Sequence, residues 1–248
     1  MNSGRWWVTL MRMEVFADAD ATARAAAKLI AHDIRSVAAA RGRYTLALSG
    51  GRTPWLMLRA LADEDIPWDR LDIVQVDERV APAGQPDRNL THLEETLLRH
   101  VPLRPEQIHG MPVESNDLER AAAQYASSLQ EIAGSPPVVD LVHLGLGPDG
   151  HTASLVPGDP ILEVNEKDVG VTGVYQGRRR MTLTYPTLNR ARRILWVVTG
   201  NDKREMLPRL LNCDTSIPAG RVKPDNAAVF ADRAAAEDRN RDVQTEVA

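Results

Sequence analysis

The chain has 248 residues, 43% of them hydrophobic and 26% charged, with a formal net charge of −4. That length buries roughly 70–75% of the unfolded surface, so a core forms without staples, and the single Cys213 excludes an internal disulfide and suggests a reducing compartment. The acidic balance gives no broad cationic field for nucleic acid, and no apolar run nears the ~18 residues of a membrane span, whereas an anionic small molecule needs only a local basic pocket.

Residues Met1–Arg12 read as an N-terminal extension, too short in apolar length for a secretory signal, so a cytoplasmic location is expected. A short strand is expected at Met13–Phe16 and a long Ala-rich helix at Asp20–Ala40. Tyr44–Leu48 is an apolar strand that ends in Ser49-Gly-Gly-Arg-Thr-Pro54, where Thr53 is expected to cap a helix beginning at Pro54. Leu71–Val76 is the next strand and ends in Asp77-Glu-Arg79; amphipathic helices follow at Asn89–His100 and Asp117–Ala133. Val138–Gly145, Met181–Tyr185, Ile194–Thr199 and Ala227–Ala231 read as further strands, with a helix at Asn201–Leu211 and a mobile polar tail from Arg233. This alternation predicts one α/β domain over 1–248, a mostly parallel sheet with helices on both faces.

Chemistry-bearing residues gather at the predicted strand ends, where open α/β sheets bind ligands. Ser49-Gly-Gly51 precedes a helix N-terminus, whose amides and dipole suit a phosphate, although an ordinary strand-to-helix turn has the same look. It is not a nucleotide P-loop: the Gly-x-x-x-x-Gly-Lys pattern is absent, and the next lysine after Gly51 is Lys167. In Asp77-Glu-Arg79 an Arg fork can grip phosphate oxygens or a carboxylate, or can be a solvated strand end. Lys203, one of only four lysines, sits in the expected first turn of a helix, where the dipole disfavours a cation unless an anion is near. Gly145-Leu-Gly-Pro-Asp-Gly150 formally fits a dinucleotide fingerprint, yet Pro157-Gly158 leaves too little room for the crossover helix that motif needs. His151 lies two residues beyond Asp149 in this turn, while His143 reads as a satisfied core histidine and His32, His92, His100 and His109 as helix-surface or loop residues. No His-Glu-x-x-His pair is present, so no metal is expected.

Ser49-Gly-Gly-Arg-Thr-Pro54, Asp77-Glu-Arg-Val-Ala-Pro82 with Asn89, Gly145-Leu-Gly-Pro-Asp-Gly-His-Thr-Ala-Ser-Leu-Val-Pro-Gly158 and Thr199-Gly-Asn-Asp-Lys203 together resemble the ordered motifs of the 6-phosphogluconolactonase family over roughly Met13 to Asp232. The resemblance implies a Rossmann-like fold, hydrolysis of 6-phosphoglucono-δ-lactone in the pentose phosphate pathway, and no cofactor. The expected partner is a small phosphosugar lactone, with no nucleic acid or membrane, and the protein is expected to be a monomer or small homo-oligomer. The sister glucosamine-6-phosphate deaminases typically carry Asp-Glu-Tyr and a Glu five residues after the His, where this chain has Arg79 and Val156. This chain also departs from the lactonase pattern, which usually has Phe at Val156 and Ser-Asn at Arg88-Asn89.

The resulting expectation is that Ser49, Gly50, Gly51, Thr53, Arg79 and Lys203 hold the 6-phosphate, with Asp77, Asn89 and Gly147 also lining the substrate. Histidine ordinarily titrates near ~6.5, so a neutral His151 would take a proton from attacking water and return it to the ring oxygen. Asp149 would orient the imidazole, bind sugar hydroxyls or cap the turn, and the amides of Gly147–Gly150 would stabilise the oxyanion. A non-catalytic sugar-phosphate regulator is the alternative from another class; Met1–Arg12 is too short for a helix-turn-helix.

Overall fold

In the computed structural model, which describes residues 11–236 apart from the Arg52 side chain, the predicted alternation builds a seven-stranded sheet. Strand β1 (Arg12–Phe16) leads into helix α1 (Ala19–Arg41), then β2 (Tyr44–Leu48), α2 (Arg52–Ala62) and β3 (Leu71–Gln75). After β4 (Asp77–Arg79) come α3 (Asn89–Thr96), β5 (Ile108–His109), α4 (Leu118–Ala133) and β6 (Leu141–Leu144). The second half adds β7 (Val169–Val171), β8 (Arg180–Leu183), α5 (Tyr185–Arg190), β9 (Arg193–Val198), α6 (Met206–Leu211), β10 (Ala227–Asp232) and α7 (Arg233–Ala236).

The large sheet has the order β1-β10-β9-β6-β2-β3-β5, and every pairing in it is parallel. Both faces are covered, so its strands are apolar on both sides, with the period of two that parallel strands require. On β2, Leu46 and Leu48 pack with Ile30, Ile34, Met57 and Leu61 of α1 and α2, while Ala47 faces the opposite core. On β9, Leu195 and Val197 join the first core, and Ile194, Trp196 and Val198 join the second, which holds Tyr125 and Leu129 of α4 and Leu188 of α5. Helix ends follow local chemistry. Asp18 caps α1 by accepting from the Ala21 amide at 2.7 Å, and Gly42 closes it in the left-handed conformation at φ 84°.

A second, antiparallel sheet of order β4-β8-β7 was not expected. Asp77-Glu-Arg79 is therefore a strand in its own right, paired with β8 so that Arg79 lies opposite Arg180. Two-residue β5 and three-residue β7 were too short to stand out as apolar runs. Other expectations need correction. Helix α2 begins at Arg52 with Gly51 at its N-cap, so Thr53 and Pro54 lie inside its first turn. The expected helix Asn201–Leu211 is a single 3-10 turn, Asn201–Lys203, followed by α6. Arg12 belongs to β1 and Met11 is buried, so the extension is shorter than expected, and the tail from Arg233 opens as α7; residues 1–10 and 237–248 lie outside the described ones. His143 is fully buried on β6 with neither ring nitrogen hydrogen-bonded among the described residues, so it is a core histidine but not a satisfied one. No helix among the described residues is long and apolar enough to cross a membrane.

Candidate active site

From the centre of the large sheet, β2 leads outward to β3 and β5 while β6 leads the other way to β9 and β10. A crevice opens where such a sheet reverses its winding, beyond the carboxyl ends of the strands. Here it is a cleft of about 520 Å³ lined from four strand ends: Ser49–Gly51 and Thr53 after β2, Gly145–Pro148 and His151 after β6, Thr199, Gly200, Asp202 and Lys203 after β9, and Asp232 of β10. Asp77, Arg79 and Arg180 of the small sheet, with Asn89, close its side. Of the eleven residues singled out from the sequence, only Asp149 does not line the cleft, standing instead behind His151.

The β2–α2 turn is shaped for close approach. A β-carbon on Gly50 would overlap the Asn89 side chain, and Gly51 holds φ 126°, a conformation other residues seldom adopt. No side chain caps α2, so its first-turn amides face the cleft with their dipole, as an anion requires. Thr53 Oγ1 meets Thr199 Oγ1 at 2.5 Å and so ties this turn to the end of β9, while Ser49 Oγ has no partner among the described residues. Asn89 is fixed at both ends, its Nδ2 donating to the Asp77 carbonyl at 2.9 Å and its Oδ1 accepting from Arg79 Nη1 at 3.1 Å. Arg79 also donates to the Asp87 carbonyl at 2.8 Å. Its neighbour Glu78 is fully buried and structural: it accepts from the Asn89 and Leu90 amides at the start of α3 and from Arg79 N, and pairs with buried Arg88 at 3.1 Å. Arg88 thus has a partner of its own at the position where the family usually has Ser. Lys203 reaches the cleft from the 3-10 turn, with Asp202 at 2.8 Å. Asp232 fixes the start of that turn through the Gly200 amide at 3.1 Å.

Across the cleft, the β6 loop folds back so that Asp149 Oδ1 meets both His151 Nδ1, at 2.5 Å, and the His151 amide, at 3.1 Å. Tyr175 donates its hydroxyl to Asp149 Oδ2 at 2.8 Å and sets its ring edge-on to the imidazole, centroids 5.6 Å apart. Partial burial pushes the Asp149 carboxyl up, but the His151 charge and the hydrogen bonds from His151 and Tyr175 together hold it below the ordinary carboxylate range. With Nδ1 so engaged, Nε2 is the ring nitrogen left to exchange a proton in the cleft. Asp77 behaves oppositely: burial raises its pKa against the lowering effects of the Ser154 hydroxyl, 2.7 Å away, and of Arg79 and Arg180.

Two residues of this site were not identified from the sequence. Arg180 and Tyr175 lie in or beside an arginine-rich turn that carries no motif; the antiparallel pairing of β8 with β4 sets Arg180 opposite Arg79, where it is 4% exposed. One expectation fails. The Gly147 amide donates to the His151 carbonyl at 2.8 Å and the Gly150 amide to the Gly147 carbonyl at 3.0 Å, so neither is available to an oxyanion. No crossover helix follows Gly150, and the dinucleotide fingerprint is a coincidence of spacing. Among the described residues, no group of three or more His, Cys, Asp or Glu side chains is arranged to hold a metal ion.

The family of glucosamine-6-phosphate isomerases and 6-phosphogluconolactonases matches residues 17–231 of this chain. The chain belongs to that family. Among its relatives, a 6-phosphogluconolactonase of a Nostoc species is 33% identical over 90% of this chain and 96% of its own length. One from a Synechocystis species is 36% identical over 79% of this chain and 85% of its own. A solved 6-phosphogluconolactonase from Thermotoga maritima superposes with a TM-score of 0.78 at 26% identity, covering 89% of this chain and 98% of that one. The membership joins lactonases to isomerases, so the family alone leaves the reaction to be argued from the cleft.

Proposed function

We propose that this protein hydrolyses 6-phosphoglucono-δ-lactone to 6-phosphogluconate, the lactone step of the pentose phosphate pathway, with His151 activating water. The observation that carries the reading is the 2.5 Å Asp149–His151 contact facing a turn built for an anion, with Arg79 and Lys203 in the same cleft. The names of the Nostoc and Synechocystis relatives support it. Ser49, Gly50, Gly51, Thr53, Arg79 and Lys203 hold the 6-phosphate, each charge-assisted bond worth on the order of 1.5–3 kcal/mol. Asn89 keeps Arg79 in position, and Asp77 and Gly147 bound the sugar.

Water attacks C1 as its proton passes to His151 Nε2; the tetrahedral intermediate then expels the ring oxygen, which takes the proton back. Asp149, held ionised, fixes the tautomer through Nδ1 and faces the imidazolium as it forms. Val156 is buried and apolar, so the acid/base group that deaminases typically carry there is missing. Turnover separates the readings: this chain is expected to accelerate lactone hydrolysis above its spontaneous rate and to release no ammonia from glucosamine 6-phosphate. Binding of 6-phosphogluconate without acceleration would favour the regulator instead.

A further inference from the structure

Lactone opening puts negative charge on the carbonyl oxygen, and the glycine amides of the β6 loop that could have met it are engaged within the turn. The cleft contains another donor. Arg180 is 4% exposed, yet among the described residues its side chain makes one hydrogen bond, from Nη2 to Gln176 Oε1 at 3.2 Å, and its Nε has no partner. A buried guanidinium whose Nε–H lacks an acceptor is costly, even with the Asp77 carboxylate near enough to favour its charge, unless something else accepts from it. Tyr175 links it to His151: the Arg180 guanidinium carbon lies 4.9 Å from the Tyr175 ring centroid, and that ring stands 5.6 Å from the imidazole. Arg180 and His151 therefore flank the same tyrosine and line the same cleft.

We propose that Arg180 is a catalytic residue that donates to the developing oxyanion on C1, resting on the lactonase reading above. As the water oxygen bonds to C1 and its proton moves to His151, the carbonyl π pair becomes an oxyanion held by Arg180 N–H groups. When the pair returns, the bond from C1 to the ring oxygen breaks, and the ring oxygen receives the proton from His151. No further reactant is needed. Arg79 and Lys203 then serve the phosphate and Arg180 serves the reacting carbon, a division the two ends of the substrate demand.

The test measures wild type, Arg180→Met and Arg180→Lys on the phosphorylated lactone and on unphosphorylated gluconolactone, with cooperative thermal unfolding as the check that each variant is folded. Loss of an oxyanion donor should lower kcat by roughly 10²–10³-fold. For Arg180→Met this loss should be similar on both lactones, with 6-phosphogluconate still held by its phosphate but more weakly for want of a donor to its C1 carboxylate, and Arg180→Lys should recover part of both losses by returning a positive charge. Wild-type kcat in Arg180→Met would overturn the proposal. So would a loss confined to the phosphorylated lactone, which would assign Arg180 to the phosphate. If Arg180→Met does not fold, Arg180→Lys decides alone, and weaker product binding at unchanged kcat contradicts the role. Wild type that accelerates neither lactone would instead remove the lactonase reading, and this proposal with it.

Discussion

Gly147 lies so close under His151 that a β-carbon there would overlap Nδ1, Cγ and Cε1 of the imidazole. The ring that meets Asp149 on one side is thus seated on bare backbone, and the glycine is needed for this approach rather than for its dihedral angles. Gly147→Ala should push the imidazole away from Asp149 and lower kcat by at least about 10-fold, since misplacing a catalytic group by ~1 Å can cost 10²-fold. Product affinity should fall less than kcat, because the phosphate is held by the β2–α2 turn, Arg79 and Lys203 and not by Gly147. Steady-state kinetics beside 6-phosphogluconate titration checks this; unchanged kcat would mean that the ring can settle elsewhere without penalty.

Arg79→Ala and Lys203→Ala should act on KM. A lost charge-assisted contact of ~1.5–3 kcal/mol corresponds to roughly 10–150-fold in kcat/KM, borne chiefly by KM. Both variants should also discriminate less between phosphorylated and unphosphorylated lactone. Arg79 additionally holds the Asp87 carbonyl and Asn89, so its variant should lose some thermal stability as well. If both keep the wild-type preference, the phosphate does not bind at these strand ends.

His143 makes stability depend on pH. Burial lowers its pKa from 6.5 to about 3. The unfolded chain therefore takes up a proton near pH 6.5 that the fold refuses, and stability present above that pH is lost as pH falls toward 3. Between pH 7.5 and 5 the loss from this residue is about 2 kcal/mol. His143→Leu should flatten the curve by that amount and cost little at neutral pH, since two unpaired buried nitrogens disappear. Urea unfolding at both pH values measures it, and a pH difference in His143→Leu as large as that of the wild type would show that the folded protein accepts the proton on His143 and that burial does not hold it neutral.

What could be read from the sequence was whatever depends on near neighbours. The strands β2, β3, β6, β9 and β10 are centred on short apolar runs, whereas the expected α1, Asp20–Ala40, stops short of its caps Asp18 and Gly42, which work within one helical turn. The site motifs were legible because strand-end residues of an α/β sheet converge wherever the sheet reverses. Arg180 was not, because its place in the cleft depends on the long-range pairing of β8 with β4, and Tyr175 was not, because its contact with Asp149 joins residues 26 positions apart. The spent amides of Gly147 and Gly150 were equally hidden: a glycine-rich turn tells of room, not of which carbonyl its N–H groups will meet.

The most direct test of the central claim, that His151 activates water in a cleft that anchors the substrate by its phosphate, is the hydrolysis of 6-phosphoglucono-δ-lactone by wild type and His151→Ala, corrected for spontaneous opening. The wild type should turn the lactone over, and His151→Ala should lose about 10²–10⁴-fold in kcat while binding 6-phosphogluconate with nearly unchanged affinity. A His151→Ala variant that hydrolyses the lactone at close to the wild-type rate would contradict the account.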